Sequence, residues 1–232
     1  MSALTRRLDG ALILKPTKRA KNLSIRIDAA QRKAVIIVPP RVSERAARNF
    51  AKKHADWIAD HLDALPPRVP FAPGQVIPLR GDPCLLVHQA DQMRYPTKLE
   101  GQSIVTGGDI DAFPGRIDRY LRAEARADIV PLVQKFGEVM GCKPGRVSIK
   151  DTKSRWGSCT PGRDLSFSWR LILAPPPVLR YVVAHEAAHM KQLNHSPHFW
   201  AEVDALMPDY GAAKQWLTDR GMSLHAYGRE TK

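Results

Sequence analysis

The pentapeptide His185-Glu186-Ala187-Ala188-His189 decides the fold and chemistry expected of this 232-residue chain. Pro175 to Pro177 can start a helix but cannot continue one, and residues 178–193 contain no helix breaker, so the pentapeptide is predicted to be helical. Residues four apart lie on one face of a helix, so both imidazoles would face the same metal ion. Glu186 lies beside them and could take a proton from metal-bound water, as in zinc hydrolases. The alternative is an amphipathic helix whose histidines only pack or form hydrogen bonds.

A catalytic zinc site needs a third protein ligand and one position open to water. In a continuing helix, a residue six positions after His189 would point away from the pair, so such a ligand requires a turn in the chain. Asn194 tolerates the left-handed conformation that ends helices, and Ser196-Pro197 is typical of the N-cap and first position of a new helix. His195 therefore lies on a tight connector that can bring its ring back, and it is the favoured third ligand. The other candidates are His198 and Glu202.

The remaining sequence pattern predicts an α+β fold. Helical spacing of apolar residues predicts an amphipathic helix from Ser43 to about Leu65 and a second helical stretch from Pro114 to Met140, where Pro131 predicts a kink or two consecutive helices. The clearest strand is the strict alternation from Leu165 to Leu171. Shorter strands are predicted around residues 23–27, 34–38, 76–79, 84–87, 103–105 and 147–149. We expect a basic, β-rich N-terminal part with one long helix, residues 1–110, and then a hydrolase domain, residues 111–232.

The composition excludes several classes of protein. The chain is 44% hydrophobic and 25% charged, which is typical of a folded globular protein rather than a disordered or collagen-like one. Its longest apolar runs are much shorter than the roughly 18 residues that cross a bilayer, and Met1–Lys15 has no apolar stretch of signal-peptide length. Three cysteines without a CxxC pair argue against a disulfide framework and against a cysteine-rich zinc finger. We therefore expect a cytoplasmic protein with no membrane partner.

The net charge of +13 is unevenly distributed along the chain. Residues 1–70 contain 15 basic and 6 acidic residues, a net charge of +9, whereas residues 71–232 contain 21 and 17, a net charge of +4. A cationic N-terminal part attracts polyanions over long range, so weak, non-specific binding of nucleic acid or nucleotides is expected. No nucleic-acid-binding motif accompanies the charge, and the alternative is a solvated basic surface.

Four motifs in a fixed order resemble those of one protein family. They are Arg155-Trp156-Gly157-Ser158-Cys159, the strand that follows it, Tyr181 to His189, and Asn194-His195-Ser196-Pro197-His198-Phe199-Trp200. Together they resemble the YgjP-like predicted metal-dependent hydrolases, relatives of the SprT-like zincin metallopeptidases, over nearly the whole chain. The resemblance implies a zincin-like core: a helix, a small β-sheet, the HExxH helix and a following helix. It also implies that His185, His189 and His195 bind Zn²⁺ and that Glu186 is the general base.

Two departures from the family pattern are visible. Ala187 stands where a leucine is commoner, which concerns packing rather than chemistry. The cysteine zinc ribbon that follows the core in many SprT proteins is absent, so the DNA-linked role of those proteins is not carried over.

The segment from Arg155 to Cys159 has a structural and a functional interpretation. Structurally, Trp156 would fill the core beneath the metal helix, and Gly157 would allow close approach of the backbone. Functionally, the segment would form the rim of a cleft in which an extended substrate adds as a strand and contacts Arg155 or Ser158. Tyr181, one turn before His185 on the same helix face, is a further candidate for substrate binding. A minor alternative makes Cys159 a metal ligand or a redox-sensitive blocker.

Three functions fit these observations. The first is a zinc-dependent metallopeptidase that hydrolyses polypeptides with metal-activated water and Glu186 as the base. The second is a metal-dependent pyrophosphatase or phosphohydrolase of nucleoside triphosphates, which the same resemblance admits and the surplus of Lys and Arg suits. The third is a non-enzymatic module that binds polyanions and holds a structural metal, although structural zinc sites more often have four Cys or His ligands.

Overall fold

A computed structural model of the chain describes residues 10–228. The prediction that the N-terminus lacks a signal peptide rests partly on Met1–Asp9, which lie outside the described residues. The chain divides into two compact units, with the boundary between Pro67 and Arg68. We call them unit 1 and unit 2. The predicted domain boundary near residue 110 falls inside unit 2, and a division of domains at that point stays a prediction.

The described part of unit 1 includes a three-stranded sheet and, after it, two helices. The strands are β1 (Leu12–Pro16), β2 (Ser24–Asp28) and β3 (Lys33–Val38), in the order β1-β3-β2, with β1 parallel and β2 antiparallel to β3. The single long helix predicted here is wrong: α1 (Glu44–Lys53) and α2 (Ala55–Asp63) are separated at His54, whose backbone leaves the helical region at φ −109° and ψ 23°. The hydroxyl of Ser43 caps α1 as predicted, by accepting a hydrogen bond from the Ala46 amide at 3.2 Å.

The first half of unit 2 is a four-stranded sheet followed by a long helix. The strands are β4 (Val76–Leu79), β5 (Asp82–Gln89), β6 (Lys98–Glu100) and β7 (Ser103–Gly107), in the order β4-β5-β7-β6. Helix α3 (Phe113–Val139) is continuous through Pro131, so the prediction of two consecutive helices is wrong. Proline removes one backbone donor, and the buried side chains of Ile129 and Val133 on either side keep the helix packed on the core.

The second sheet of unit 2 contains β8 (Val147–Lys150), β9 (Gly157–Cys159) and β10 (Leu165–Ser168), in the order β8-β10-β9. Strand β9 is therefore an edge strand, antiparallel to β10. The predicted strand from Leu165 to Leu171 ends early, because residues 169–173 form a 3-10 helix in which the Ser168 hydroxyl accepts a hydrogen bond from the Arg170 amide. Trp169 and Leu171 are buried in the 3-10 helix, as they would be on the inner face of a strand, so the alternation of apolar residues does not distinguish the two conformations.

Three helices complete unit 2: α4 (Pro176–Ala188), α5 (Pro197–Leu206) and α6 (Tyr210–Arg220), followed by a 3-10 helix over residues 221–226. Helix α4 packs against α3, α5 and α6. It ends at Ala188, although the sequence has no helix breaker before residue 194, because the next backbone bonds tighten: the Met190 amide donates to the Ala187 carbonyl.

The predicted α+β class is confirmed, with the helix, small sheet, HExxH helix and following helix in the expected order. Between residues 10 and 228, no helix combines the length and the apolar character that crossing a membrane requires.

Candidate metal centre

Three imidazoles converge at the end of α4. His185 lies in the last turn of the helix, and His189 is its C-cap residue, with φ −65° and ψ −14°, so the two rings remain on one face. The connector then turns back, and the Ser196 hydroxyl caps α5 by accepting a hydrogen bond from the Phe199 amide at 3.4 Å. This turn brings His195 to the pair, with ring centroids 5.0 Å from His185 and 4.8 Å from His189.

The protonation states of His185 and His189 suit metal binding. The Nδ1 of His189 lies 2.8 Å from the carbonyl oxygen of Gln192, which can only accept, so Nδ1 carries the proton and donates it. Burial lowers the pKa of His189, which leaves Nε2 with a free lone pair. Burial, with smaller contributions from His189 and His195, also lowers the pKa of His185 to about 4. Both rings are therefore neutral near pH 7, as metal ligands must be.

The donor geometry fits a single small cation. One ring nitrogen from each histidine lies within 4.8 Å of the other two, and the Nε2 atoms of His195 and His185 are 3.1 Å apart. Zinc–nitrogen bonds of about 2.0–2.1 Å in a tetrahedral site place donor atoms about 3.3 Å apart. The Nε2 atoms of His185 and His195 are already close to that spacing, and the most widely separated donors must approach each other by at most about 1.5 Å (4.8 Å against about 3.3 Å). The Nδ1 atom of His185 is buried without a hydrogen-bond partner among the described residues, so on this side the ring is held by packing.

Glu186 faces the cleft from the same turn of α4 and is 6% exposed. Its carboxyl group occupies space left by Gly157 of β9: a Cβ atom on that glycine would lie 2.5 Å from Cγ and 2.6 Å from Oε1 of Glu186. Burial raises the pKa of Glu186 to about 7, against the opposing effect of the Arg155 guanidinium. A carboxyl group with this pKa can both accept and return a proton near neutral pH.

The imidazoles and Glu186 line one cleft of about 420 Å³. One wall is the edge strand β9 with the two residues before it, and the other is α4. The remaining side chains at the cleft are mostly apolar: Trp156, Cys159, Val182, Leu193 and Leu217. A cleft with one buried carboxyl group, three imidazole nitrogen donors and the unpaired edge of a strand has the parts needed for hydrolysis of an extended chain.

The sequence profile of the YgjP-like metallopeptidase domain matches residues 21–220 of the chain. The chain belongs to the YgjP-like metallopeptidase family. The chain is therefore, in general terms, a metal-dependent peptidase. Among solved structures, the metallopeptidase zymogen abylysin of Pyrococcus abyssi is similar, with 23% identity and a TM-score of 0.36 over 41% of this chain and 92% of that chain. No curated protein sequence gives a significant match.

In this YgjP-like protein, the three histidines favoured from the sequence come together, and the alternative ligands do not. His198 is exposed in the first turn of α5, and the carboxylate of Glu202 accepts hydrogen bonds from Lys191 at 3.2 and 3.3 Å. Among residues 10–228, His185, His189 and His195 form the one cluster of three or more potential ligands. Whether they bind the metal of the family stays a prediction at this point.

The predicted substrate-binding residues of the YgjP-like protein all line the cleft. Arg155 is exposed at the rim, and Ser158 lies in β9, with its Oγ 3.4 Å from that of Ser166. Tyr181 is 6% exposed and packs edge-on against His185, with ring centroids 6.0 Å apart. Burial raises the pKa of Tyr181 to about 12, so it stays a neutral hydrogen-bond donor. Cys159 lies outside the histidine cluster, and burial raises the pKa of its thiol to about 11, which opposes metal binding.

Sequence reasoning missed a column of rings beside this site. Tyr181 stacks on Tyr210 at 5.8 Å between centroids, and Tyr210 stacks on Trp200 at 5.7 Å. The ammonium group of Lys214 lies over the Trp200 ring at 4.1 Å. Leu217, one turn after Lys214, reaches the cleft. No local sequence pattern indicates these contacts, because they join α4 to α5 and α6: Tyr181 and Tyr210, for example, are 29 residues apart in the chain.

Proposed function

We propose that this protein is a zinc-dependent peptidase of the HExxH type, with His185, His189 and His195 as the metal ligands and Glu186 as the general base. The observation that carries the proposal is the convergence of three imidazole nitrogens within 4.8 Å of one another, beside a buried carboxyl group in an open cleft. An all-nitrogen set of three donors with one side open is typical of catalytic zinc, whereas Mg²⁺ and Ca²⁺ prefer oxygen ligands.

Zinc bound at these rings would polarise the carbonyl of a peptide and lower the pKa of a bound water. The chain's own residues carry out the proton transfers. Glu186 takes the proton from the attacking water and returns it to the leaving nitrogen, for which its pKa of about 7 is suited. The His189 ring is fixed for its part by the hydrogen bond that its Nδ1–H donates to Gln192.

Substrate would lie along β9. This strand pairs with β10 on one side only, so its other edge can form backbone hydrogen bonds with an extended peptide. Arg155 precedes the strand, and its positive charge acts on Glu186 by lowering the pKa of that carboxyl group. It would contact the substrate near the reacting carbonyl, with Ser158 and Tyr181 as further contacts. A polypeptide therefore fits the cleft better than a nucleoside triphosphate, since the described residues include no acidic cluster to hold Mg²⁺.

The test uses the Glu186→Gln variant of the full chain together with the wild type. We expect about one zinc per chain in both proteins, because the glutamate is not a ligand. Cleavage of an unfolded polypeptide should fall by about 10²- to 10⁴-fold in the variant, the usual contribution of general base catalysis. Nucleoside triphosphates are offered in parallel. Hydrolysis of triphosphates alone, or peptide cleavage that the substitution leaves unchanged, would contradict the proposal.

A further inference from the structure

The sheet of unit 1 brings two connections of the chain to one end. Strands β1 and β3 are parallel and finish together, with Pro16 paired to Val38. Antiparallel β2 begins at the same end, where Ser24 pairs with Ile37. Residues 17–23 and 39–43, which follow β1 and β3, therefore both leave the sheet at this end.

Each connection begins with a hydrogen-bonded turn. The Ala20 amide donates to the Thr17 carbonyl at 3.3 Å, and the Val42 amide donates to the Pro39 carbonyl at 3.1 Å. The turns are neighbours, because the Thr17 amide donates to the carbonyl of Val38, the residue before the second turn, at 3.0 Å. Side chains at the tips of both turns are therefore presented together on an ordered backbone.

Most of the exposed charged side chains at this end are cationic. Lys18 and Arg19 occupy the central positions of the first turn, and Arg41 is central in the second. With their neighbours they form the group that we call the cationic end: Lys15, Lys18, Arg19, Lys21, Arg41 and Arg45, all exposed. The stretch from Lys15 to Arg26 contains no carboxylate. Glu44, in the first turn of α1, is already paired with Arg48 at 2.8 Å.

Two carboxylates of unit 1 lie at the other end of the sheet. Asp28 ends β2 opposite Lys33, and the C-terminal end of α2, which carries Asp63, is held nearby because the Arg32 guanidinium donates to the Pro66 carbonyl at 2.7 Å. Five residue steps along β3 separate the two ends by about 17 Å. This exceeds the screening length of about 8 Å at physiological salt, so these carboxylates do not cancel the field of the cationic end.

We propose that the cationic end binds the phosphate backbone of nucleic acid. Lys18, Arg19 and Arg41 have no ion-pair partner among residues 10–228, and several such cations on adjacent turns match a ligand of closely and regularly spaced negative charge. Binding of such a ligand releases condensed counterions. The groove beside the turns is lined by apolar residues, among them Leu12, Leu14 and Val42, and by the ion pair of Glu44 and Arg48. Its lining residues include no aromatic ring for base stacking. The contacts are therefore with phosphates, and binding is independent of base sequence. This inference does not depend on the peptidase activity of unit 2.

The experiment measures fluorescence anisotropy of a labelled DNA duplex of about 20 base pairs with the full chain, from about 50 to 200 mM salt. The test variant reverses the turn tips, Lys18→Glu, Arg19→Glu and Arg41→Glu. The matched control makes the same change of charge at exposed sites in unit 2, Arg94→Glu, Lys135→Glu and Lys143→Glu. Single-stranded DNA and an RNA duplex distinguish the sources of phosphate, while polyglutamate and anionic phospholipid vesicles test other polyanions.

We expect wild-type binding in the micromolar range at low salt and at least about a tenfold loss in the test variant. The slope of log K against log salt should fall in magnitude by about three, since each phosphate contact contributes about 0.9. The control should keep the wild-type slope, and both variants should keep wild-type peptidase activity. If circular dichroism shows that the test variant is unfolded, the variant Lys18→Gln, Arg19→Gln and Arg41→Gln replaces it, with the same loss of slope expected.

Three results would overturn the inference. The first is no binding of any oligonucleotide at about 50 mM salt. The second is an equal loss of affinity in the control, which would mean that the total charge and not the cationic end is responsible. The third is binding of polyglutamate or vesicles without binding of oligonucleotides.

Discussion

The metal cleft of unit 2 and the cationic end of unit 1 both depend on turns of the chain, but the first depends on buried polar groups and the second on charges exposed to solvent. In the cleft, polar groups are buried: Glu186 is 6% exposed, and burial lowers the pKa of His185 and His189. At the cationic end, the charges stay in water and act through a long-range field. The properties of buried groups depend on their exact neighbours, whereas the field of exposed charges depends on how many charges there are. Single substitutions should therefore have large effects in the metal cleft and small effects at the cationic end.

The largest effect is expected from a substitution that disrupts the metal cleft and leaves the cationic end unchanged. His195→Ala removes one of three ligands, so zinc content should fall well below one per chain and peptidase activity should fall more than about 100-fold, since even outer partners of a metal site cost 10- to 100-fold. Its affinity for the DNA duplex should not change. Zinc analysis, cleavage rates and anisotropy on the same preparation measure all three. If this variant keeps its zinc, the third ligand is a residue other than His195.

Ion pairs extend the same comparison to stability. Arg170 is 3% exposed, and its guanidinium donates to Asp151 at 2.9 Å and to the Leu224 carbonyl at 3.0 Å. Arg170→Met should lower the free energy of unfolding by about 3 kcal/mol, the low end for a broken buried pair because Asp151 is partly exposed.

The control for Arg170 is the exposed pair of unit 1. Glu44→Gln removes the ion pair between this residue and Arg48 and should cost about 0.5 kcal/mol. Urea denaturation of both variants measures the difference. Equal losses would contradict the contrast between buried and exposed charge.

The next effect tests how closely Glu186 is fitted. Gly157→Ala places a Cβ atom 2.5 Å from Cγ of Glu186, so the carboxyl group must move, and a misplacement of about 1 Å can cost 10²-fold in rate. We expect a fall in kcat/KM of that order with zinc content unchanged. Gly162→Ala is the matched control, because the nearest atom to its added Cβ would be 3.8 Å away. Similar activities of the two variants would show that the backbone of β9 shifts to accommodate the added methyl group, so that Glu186 keeps its position.

What could be predicted from the sequence follows from distance along the chain. His185, His189 and His195 lie within 11 residues, so helix periodicity and the signals for a turn were enough to bring them together. The fit of Gly157 against Glu186 and the bonds from Arg170 to the C-terminal carbonyls join segments 29 to 57 residues apart. Periodicity contains no information about such contacts, and for the same reason it missed β1, whose parallel partner β3 lies beyond β2.

Two helix caps give the smallest and most controlled comparison. Ser43 caps α1 in unit 1, and Ser196 caps α5 in unit 2, each by accepting a hydrogen bond from the amide three residues later. Replacing either serine by alanine should cost about 1 kcal/mol of stability. Ser196 also fixes the backbone next to His195, so Ser196→Ala should weaken zinc binding by about tenfold, the lower range for an outer partner of a metal site.

Competition with a zinc chelator measures the affinity of both cap variants, and thermal melting measures their stability. Ser43→Ala should leave the affinity for zinc unchanged, and Ser196→Thr, which keeps a capping hydroxyl, should restore it. If Ser196→Ala loses stability but binds zinc as tightly as the wild type, the position of His195 is fixed by its packing against Phe199 and Trp200, at 4.7 and 6.1 Å between ring centroids, and not by the cap.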